Sequence, residues 1–234
     1  MIMTNVKNVK KAWIFCHGPS SPSTEVLKGR IQPGDLIICA DGGAEYAMAM
    51  DLAPLVIIGD LDSLSREDRA RAEKSGARFI TFPREKDKTD AHLGLEYAAR
   101  QGAREVVLVG ALGGRIDHAL GNLYLLLAAR QLGMTARIID AAHEVYLLLG
   151  DERLDLEGEV GQTISLIPVA GDVGGVWTEG LYYPLRGEPL FLAENLGISN
   201  LFTGTRARVE IETGTLLIIK VISENRARQE GAVL

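Results

Sequence analysis

A chain of 234 residues has room for one large domain or two modest ones, and with 47% hydrophobic residues it can bury a sizeable core. The formal net charge of −6, with no basic stretch, argues against a general nucleic-acid or membrane-surface binder, although a local metal could still draw in an anionic substrate. No apolar stretch approaches membrane-spanning length, and the polar, basic start from Met1 to Lys11 is followed by no apolar h-region, so a soluble cytoplasmic protein is expected.

Up to about residue 140, short β-rich runs alternate with helical patterns. "AWIFC" (Ala12 to Cys16), "DLIICA" (Asp35 to Ala40), "LVIIG" (Leu55 to Gly59), "RFITF" (Arg78 to Phe82), "EVVLVG" (Glu105 to Gly110) and "ARIID" (Ala136 to Asp140) read as strands. Their apolar character is nearly continuous, which suits parallel strands covered on both faces. Helices are expected near 43–50, 65–75, 89–101 and 116–132, the last with Ile116, Leu120, Leu123 and Leu127 at helical spacing. Such alternation implies an open α/β sheet. Cys16 and Cys39 sit in apolar runs and are expected to be buried thiols.

After about residue 142 the grammar changes. "EVYLLL", "RLDLEG", "TISLIPV", "GGVWTEG", "LFLAE", "ARVEIETG" and "TLLIIKVI" are strand-like runs split by Gly, Pro, Asp and Asn, with no amphipathic helix between them. That pattern predicts an antiparallel sandwich or barrel and a domain boundary near 141–150. The polar tail "ENRARQEGAVL" is expected to fray.

In open α/β sheets, ligands bind beyond the carboxyl ends of the strands, and the polar motifs fall there. The strand at 35–40 leads into "ADGGAEY": Asp41 could cap the next helix, and Gly42 and Gly43 either form a tight turn or expose amides to phosphate. The strand at 55–58 leads into "GDLDSLSRED". In an extended segment Asp60 and Asp62 would point the same way, about 6.6 Å apart at Cα. Ser65 with Asp68 fits a capping box for the following helix, so neither aspartate is needed as a cap. A paired-carboxylate site for a hard cation such as Mg²⁺ is then favoured over a simple turn.

The strand at 78–82 leads into "PREKDKTDAHLGL". Thr89 could be an N-cap with Asp90 in the first turn, and Asp87 lies close by. Lys86 and Lys88 could meet phosphate, but a solvated face is the better reading. The strand at 105–110 leads into "GALGGRIDHALGN", where Gly-rich loop residues precede Arg115, Asp117 and His118. Arg115 could grip phosphate, or the stretch could be a turn with an Asp cap and a surface arginine. Asn122, five residues after Asp117, is not on quite the same helical face. Together the motifs describe a polyphosphate site with a divalent metal. Neither a Walker A pattern nor a G-x-G-x-x-G fingerprint occurs.

The ordered set "ADGGA", "GDLDS", "KDKTD" and "GALGGRIDH", followed by "GLYYPL" (Gly180 to Leu185) and "GISN" (Gly197 to Asn200), resembles the thiamine pyrophosphokinase family. The resemblance implies a Rossmann-like, mostly parallel ATP-binding domain with helices on both faces over 1–142, and an antiparallel β-sandwich thiamine-binding domain over 143–234. It implies a homodimer with thiamine between subunits, ATP as co-substrate, Mg²⁺, and products thiamine diphosphate and AMP. By motif position it makes Asp60, Asp62 and Asp90 the metal and catalytic carboxylates. Asp41, Gly42, Gly43, Asp87, Thr89, Arg115, Asp117 and His118 would line the nucleotide site. Tyr183 would lie against the thiamine rings, with Ser199 and Asn200 helping to contact thiamine. One departure is His92 where an acidic residue is expected two positions beyond Asp90, which leaves the capping box incomplete. Rival readings are a pyrophosphokinase for another hydroxymethyl heterocycle such as a pterin, and a non-catalytic nucleotide sensor.

Overall fold

The computed structural model describes residues 11–19, 22–27 and 29–222. The start of the chain before Lys11 and the tail expected to fray lie outside the described residues. The chain divides into two compact units, Met1–Ala141 and Ala142–Leu234.

The first unit follows the order β1 (Lys11–Phe15), α1 (Thr24–Leu27), β2 (Leu36–Ala40), α2 (Gly43–Ala49), β3 (Val56–Gly59), α3 (Arg66–Lys74), β4 (Arg78–Thr81), α4 (Asp90–Arg100), β5 (Glu105–Val109), α5 (Ile116–Gln131) and β6 (Thr135–Ile139). Its strands run in the spatial order β6-β5-β1-β2-β3-β4, every neighbouring pair parallel. The order reverses between β1 and β5, which opens a crevice at their carboxyl ends. Alternate β1 residues serve opposite faces, as a strand requires. Trp13 and Phe15 join a core with Ala44, Ala47 and Met48 of α2 and Ala72 of α3. Ile14 faces the other way: with Ile38 it packs against Gly94 of α4.

Helix starts follow their caps. Ser65 accepts from the Asp68 N–H at 3.0 Å and donates to its carboxylate, as the sequence predicted. Thr89 accepts from the His92 N–H at 3.3 Å, so α4 is capped even with histidine in the acidic position. In α5 the expected stripe is not the buried one. Ile116 is 85% exposed and Leu120 50%, while Leu125, Leu126 and Ala129 are buried. Periodicity located the helix, but its first two turns rise clear of this unit's core.

The second unit contains β7 (His143–Leu149), β8 (Glu152–Glu157), β9 (Thr163–Pro168), β10 (Val173–Glu179), β11 (Arg186–Leu190), β12 (Asn200–Leu201), β13 (Arg206–Ile211) and β14 (Thr215–Val221). Antiparallel pairings set β12-β9-β14-β7 side by side and β11-β10-β13-β8 side by side. One buried cluster draws on both groups: Leu148, Ile164, Leu166, Leu216 and Ile218 meet Leu156, Val176, Leu190, Val209 and Ile211. The run "LFLAE", expected as a strand, is not one. The strand is the less apolar Arg186–Leu190, which pairs with β10 at the rim of its sheet, where Pro189 is tolerated. Phe191 and Leu192 beyond it are exposed, in a turn closed by Glu194 N–H on the Phe191 carbonyl.

Inside this unit sits a buried ion pair. Lys220 of β14 lies opposite Glu144 of β7, with Nζ 2.8 Å from Oε2 and 3.0 Å from the Glu157 carbonyl, and Tyr146 donates to the same carboxylate oxygen at 2.7 Å. Glu144 is 2% exposed, so its charge depends on these donors. Lys220→Met should lower the urea-unfolding free energy of this unit by about 3–5 kcal/mol. A second contrast tests the packing of glycines. A Cβ on Gly43 would collide with the Phe15 carbonyl, whereas one on Gly121 of α5 meets nothing. Thermal melts should show Gly43→Ala destabilised by about 1–3 kcal/mol and Gly121→Ala stabilised by about 0.5–1 kcal/mol.

Candidate active site

Asp41 follows β2 directly, and Asp60 follows β3. Parallel pairing of Ala40 with Ile58, and donation of the Asp41 N–H to the Ile58 carbonyl at 2.9 Å, bring the two strand ends together. Gly59 is needed there, since a Cβ would press on the Asp41 Cβ. Asp62 arrives by a different route from the one the sequence suggested. The chain is not extended after β3: Leu61 is left-handed, with φ +62°, and Asp41 has φ +47°. Non-glycine residues pay for that conformation, and such strain gathers at functional sites. The result is a triad, with one carboxylate oxygen from each of Asp41, Asp60 and Asp62 lying within 4.8 Å of one another.

The triad is only partly neutralised by the protein. Ser63 donates to Asp41 Oδ2, while Asp41 Oδ1 is buried without a hydrogen-bond partner. The Asp62 N–H, helped by Lys86 and Arg84, holds the Asp60 carboxyl below its ordinary range. Asp90 opens α4 and faces the same group. Burial pushes its carboxyl up, Lys86 opposes the shift, and the Asp41 and Asp60 charges add to it. Its Oδ1 stands 2.9 Å from Lys86 Nζ. The structure therefore gathers Asp41 with Asp60 and Asp62, and ties Asp90 to a lysine.

Beside the triad lies a cleft of about 620 Å³ at the β1–β5 switch point. Of the residues singled out from sequence, Asp41, Asp60, Asp87, Thr89, Asp90, Arg115 and His118 line it. Lys86 and Lys88 line it too. The Lys86 side chain is only 15% exposed, which corrects its reading as a solvated face, while Lys88 remains exposed and pairs with Glu96. Gly42 and Gly43 are not in the lining. Their missing side chains make room for the His17 ring and the Phe15 carbonyl, so they seat α2 on β1. Asp117 is also outside it. It grips Arg115 through two contacts, at 3.1 and 2.6 Å, which holds the Asp117 carboxyl below its usual value and Arg115 above its own.

Sequence reading missed the loop after β1. Cys16, His17, Gly18 and Pro19 line the cleft, and Tyr46 of α2 donates to the Gly18 carbonyl at 2.9 Å. The signal was available: Gly18 follows a parallel strand three residues past its end at Phe15. Asn122 also lines the cleft and donates to the Ala111 carbonyl at 2.7 Å, fixing the loop after β5.

The remaining predicted residues belong to the second unit. Tyr183 is 62% exposed and meets Tyr182 edge-on, ring centroids 4.9 Å apart. Ser199 is exposed with φ +60°, and its N–H donates to Ser165 Oγ at 3.1 Å. Asn200 is buried, and its carboxamide bonds to the backbone of Tyr183 and Leu201.

A cleft lined by carboxylates and cations, at the switch point of a parallel sheet, is the build of an enzyme that handles phosphorylated substrates. Residues 28–138 match the family described as thiamin pyrophosphokinase, catalytic domain, and residues 152–218 match thiamin pyrophosphokinase, vitamin B1 binding domain. The thiamine pyrophosphokinase of Bacillus subtilis (strain 168) is 29% identical over 194 residues, 83% of this chain and 91% of that relative. The crystal structure of thiamine pyrophosphokinase from Bacillus subtilis aligns with a TM-score of 0.82 at 28% identity, over 92% of this chain and 100% of that one. The thiamin pyrophosphokinase structure from Geobacillus thermodenitrificans gives 0.77 at 25%, over 92% and 98%. The chain belongs to the thiamine pyrophosphokinase family and is an enzyme of the transferase class.

Cys16 and Cys39 are free and buried. Burial, with the nearby Asp90 charge, pushes the Cys16 thiol up to about 12, and burial raises Cys39 as well. The neutral thiol is therefore the form favoured in the folded protein through pH 8. A chromogenic disulfide reagent at pH 8 should titrate neither thiol in native protein and both in guanidinium.

Proposed function

We propose that this enzyme transfers the β,γ-pyrophosphoryl unit of ATP to the hydroxyl of thiamine, giving thiamine diphosphate and AMP. The observation that carries the reading is the Asp41–Asp60–Asp62 triad beside a cleft of polyphosphate size, in a chain of this family. In the same reading, 1–142 is a Rossmann-like ATP domain and 143–234 a β-sandwich thiamine domain; the match over 152–218 supports the second assignment.

The triad fits a divalent cation. Its donors are all hard oxygens, and Asp41 Oδ1 is a buried acceptor with nothing to accept from. Asp41, Asp60 and Asp62 would hold Mg²⁺, with Asp90 facing them. When bound, the ion supplies charge neutralisation for the polyphosphate and the departing AMP. Lys86, Arg84 and Arg115 would bind phosphate oxygens, with Asp117 fixing the Arg115 fork. His118 and the Gly113–Gly114 loop line the cleft with Arg115, while Asp87 and Thr89 line it from the same loop as Arg84 and Lys86. These residues act chiefly by holding the phosphorus in line with a primary alcohol. The exposed face of Tyr183 suits a thiazolium cation, and Ser199 is exposed next to Asn200, which bonds to the Tyr183 backbone.

The protein acts in this reading as a cytoplasmic homodimer with thiamine between subunits. Exposed apolar side chains support that: Ile116, Leu120 and Tyr124 along one side of α5, and Tyr182, Leu196 and Ile198 in the second unit, are surfaces a second copy would cover. Among the described residues, no helix is long and apolar enough to cross a membrane.

The test is AMP formation from ATP. It should require both thiamine and Mg²⁺, and a pterin alcohol should not replace thiamine. AMP released with the pterin alone would favour the rival heterocycle, and nucleotide binding without AMP under any substrate would favour a sensor. Asp62→Asn should lose at least roughly 100-fold in kcat. It should melt no lower than wild type without metal, because the substitution relieves repulsion in the triad.

A further inference from the structure

Tyr183 is a large ring left mostly in solvent, and its backbone is held by a single side chain. Residues 180–183 and 200–203 run side by side. The Thr203 N–H donates to the Gly180 carbonyl at 2.9 Å, Leu181 and Phe202 form an antiparallel bridge, and the Tyr182 N–H donates to the Leu201 carbonyl at 2.9 Å. Pro184 follows Tyr183 and has no N–H to extend the ladder. At that point the Asn200 carboxamide takes over. Its Oδ1 accepts from the Tyr183 N–H at 2.9 Å and from the Leu201 N–H at 2.9 Å, and its Nδ2 donates to the Tyr183 carbonyl at 2.7 Å.

Asn200 is 5% exposed, whereas Tyr182 and Tyr183 are each 62% exposed. The carboxamide oxygen has both lone pairs in use, and one amide hydrogen is committed to the protein. A group so placed has little left to offer a ligand. It pins both backbone polar groups of Tyr183, so that the ring is restricted to the rotamers of one backbone conformation. Only a side chain carrying an acceptor and a donor can serve the N–H and the C=O of one residue. Aspartate has the same shape but would set a second acceptor against the Tyr183 carbonyl.

We propose that Asn200 is a positioning residue for the aromatic face that receives the substrate, acting on thiamine only through Tyr183 and not touching it. The proposal rests on the thiamine reading above and replaces the expectation that Asn200 contacts the substrate. Its energetic role is preorganisation: an exposed ring already fixed on its backbone loses less freedom when a ligand stacks on it.

The experiment is a double-mutant cycle of Asn200→Asp and Tyr183→Ala, with hydrogen–deuterium exchange of the 180–185 peptide. Asn200→Asp should raise the KM for thiamine roughly tenfold, the loss of about one backbone-directed hydrogen bond. The kcat and the KM for ATP should stay within about twofold. In the Tyr183→Ala background the same substitution should have no further effect on the thiamine KM. Exchange of the 180–185 peptide should rise in Asn200→Asp while the rest of the unit keeps its protection. Additive effects on KM would mean that Asn200 meets thiamine itself, and unchanged peptide exchange would mean that it clamps nothing; either result overturns the proposal. If Asn200→Asp fails to fold, Asn200→Ser carries the same two readouts with a smaller perturbation. Absence of thiamine-dependent AMP in wild type would overturn the substrate reading, and the exchange result would still decide the clamp.

Discussion

Holding three like charges together is the constraint around which the first unit is organised. Carboxylates of Asp41, Asp60 and Asp62 repel one another, so no local preference of the chain would assemble them. The parallel register of β2 and β3 places two of them at adjacent strand ends. A glycine at 59 lets those ends close up, and a left-handed Leu61 turns the third inward. The Asp41 backbone is bent into the same strained region. Each is a cost in folding free energy, borne by strands whose apolar residues are almost wholly buried. The repulsion that opposes folding also makes the cluster a cation's natural seat.

The two units solve different physical problems. The first has to concentrate charge, so it uses a parallel sheet whose strand ends all face one crevice, with helices to bury both sides. The second presents apolar rings at its surface, so it needs stiffness in its loops. It obtains this from side chains that replace backbone partners where the ladder stops, Asn200 on Tyr183 being the clearest case. Deeper in, the Lys220–Glu144 pair keeps two charges among apolar strands at matched register.

Much of this was legible in the sequence because it was local. Continuous apolar runs betrayed the parallel strands, alternation and turn residues betrayed the antiparallel ones, and capping residues marked the starts of α3 and α4 within a residue. The clustering of acidic residues after successive strands pointed to the crevice. What escaped was whatever depends on contacts distant in the chain. Gly42 and Gly43 look like phosphate-loop glycines in one dimension, yet they are shaped by Phe15 and His17, some 25 residues earlier. The apolar stripe of α5 has helical spacing whether it faces this unit's core or not, so period alone could not say that Ile116 is exposed. Asn200 reads as a polar ligand in a signature motif. Only its three hydrogen bonds reveal that the protein has already used it. Asp62 does converge with Asp60 as expected, but by a different backbone route: extended geometry was carried past the end of β3 at Gly59, through a left-handed Leu61.

The loops after β1 and β5 lie in contact. A side chain at Gly18 would run into the Gly110 and Leu112 carbonyls, and one at Gly114 would meet the Pro19 ring. Neither loop can therefore thicken while the other keeps its path. Over evolutionary time the two should change in concert, so that insertions or bulkier residues in one are accompanied by shortening or glycine in the other. Grafting a single loop from a relative into this chain would then disturb the cleft more than grafting both together.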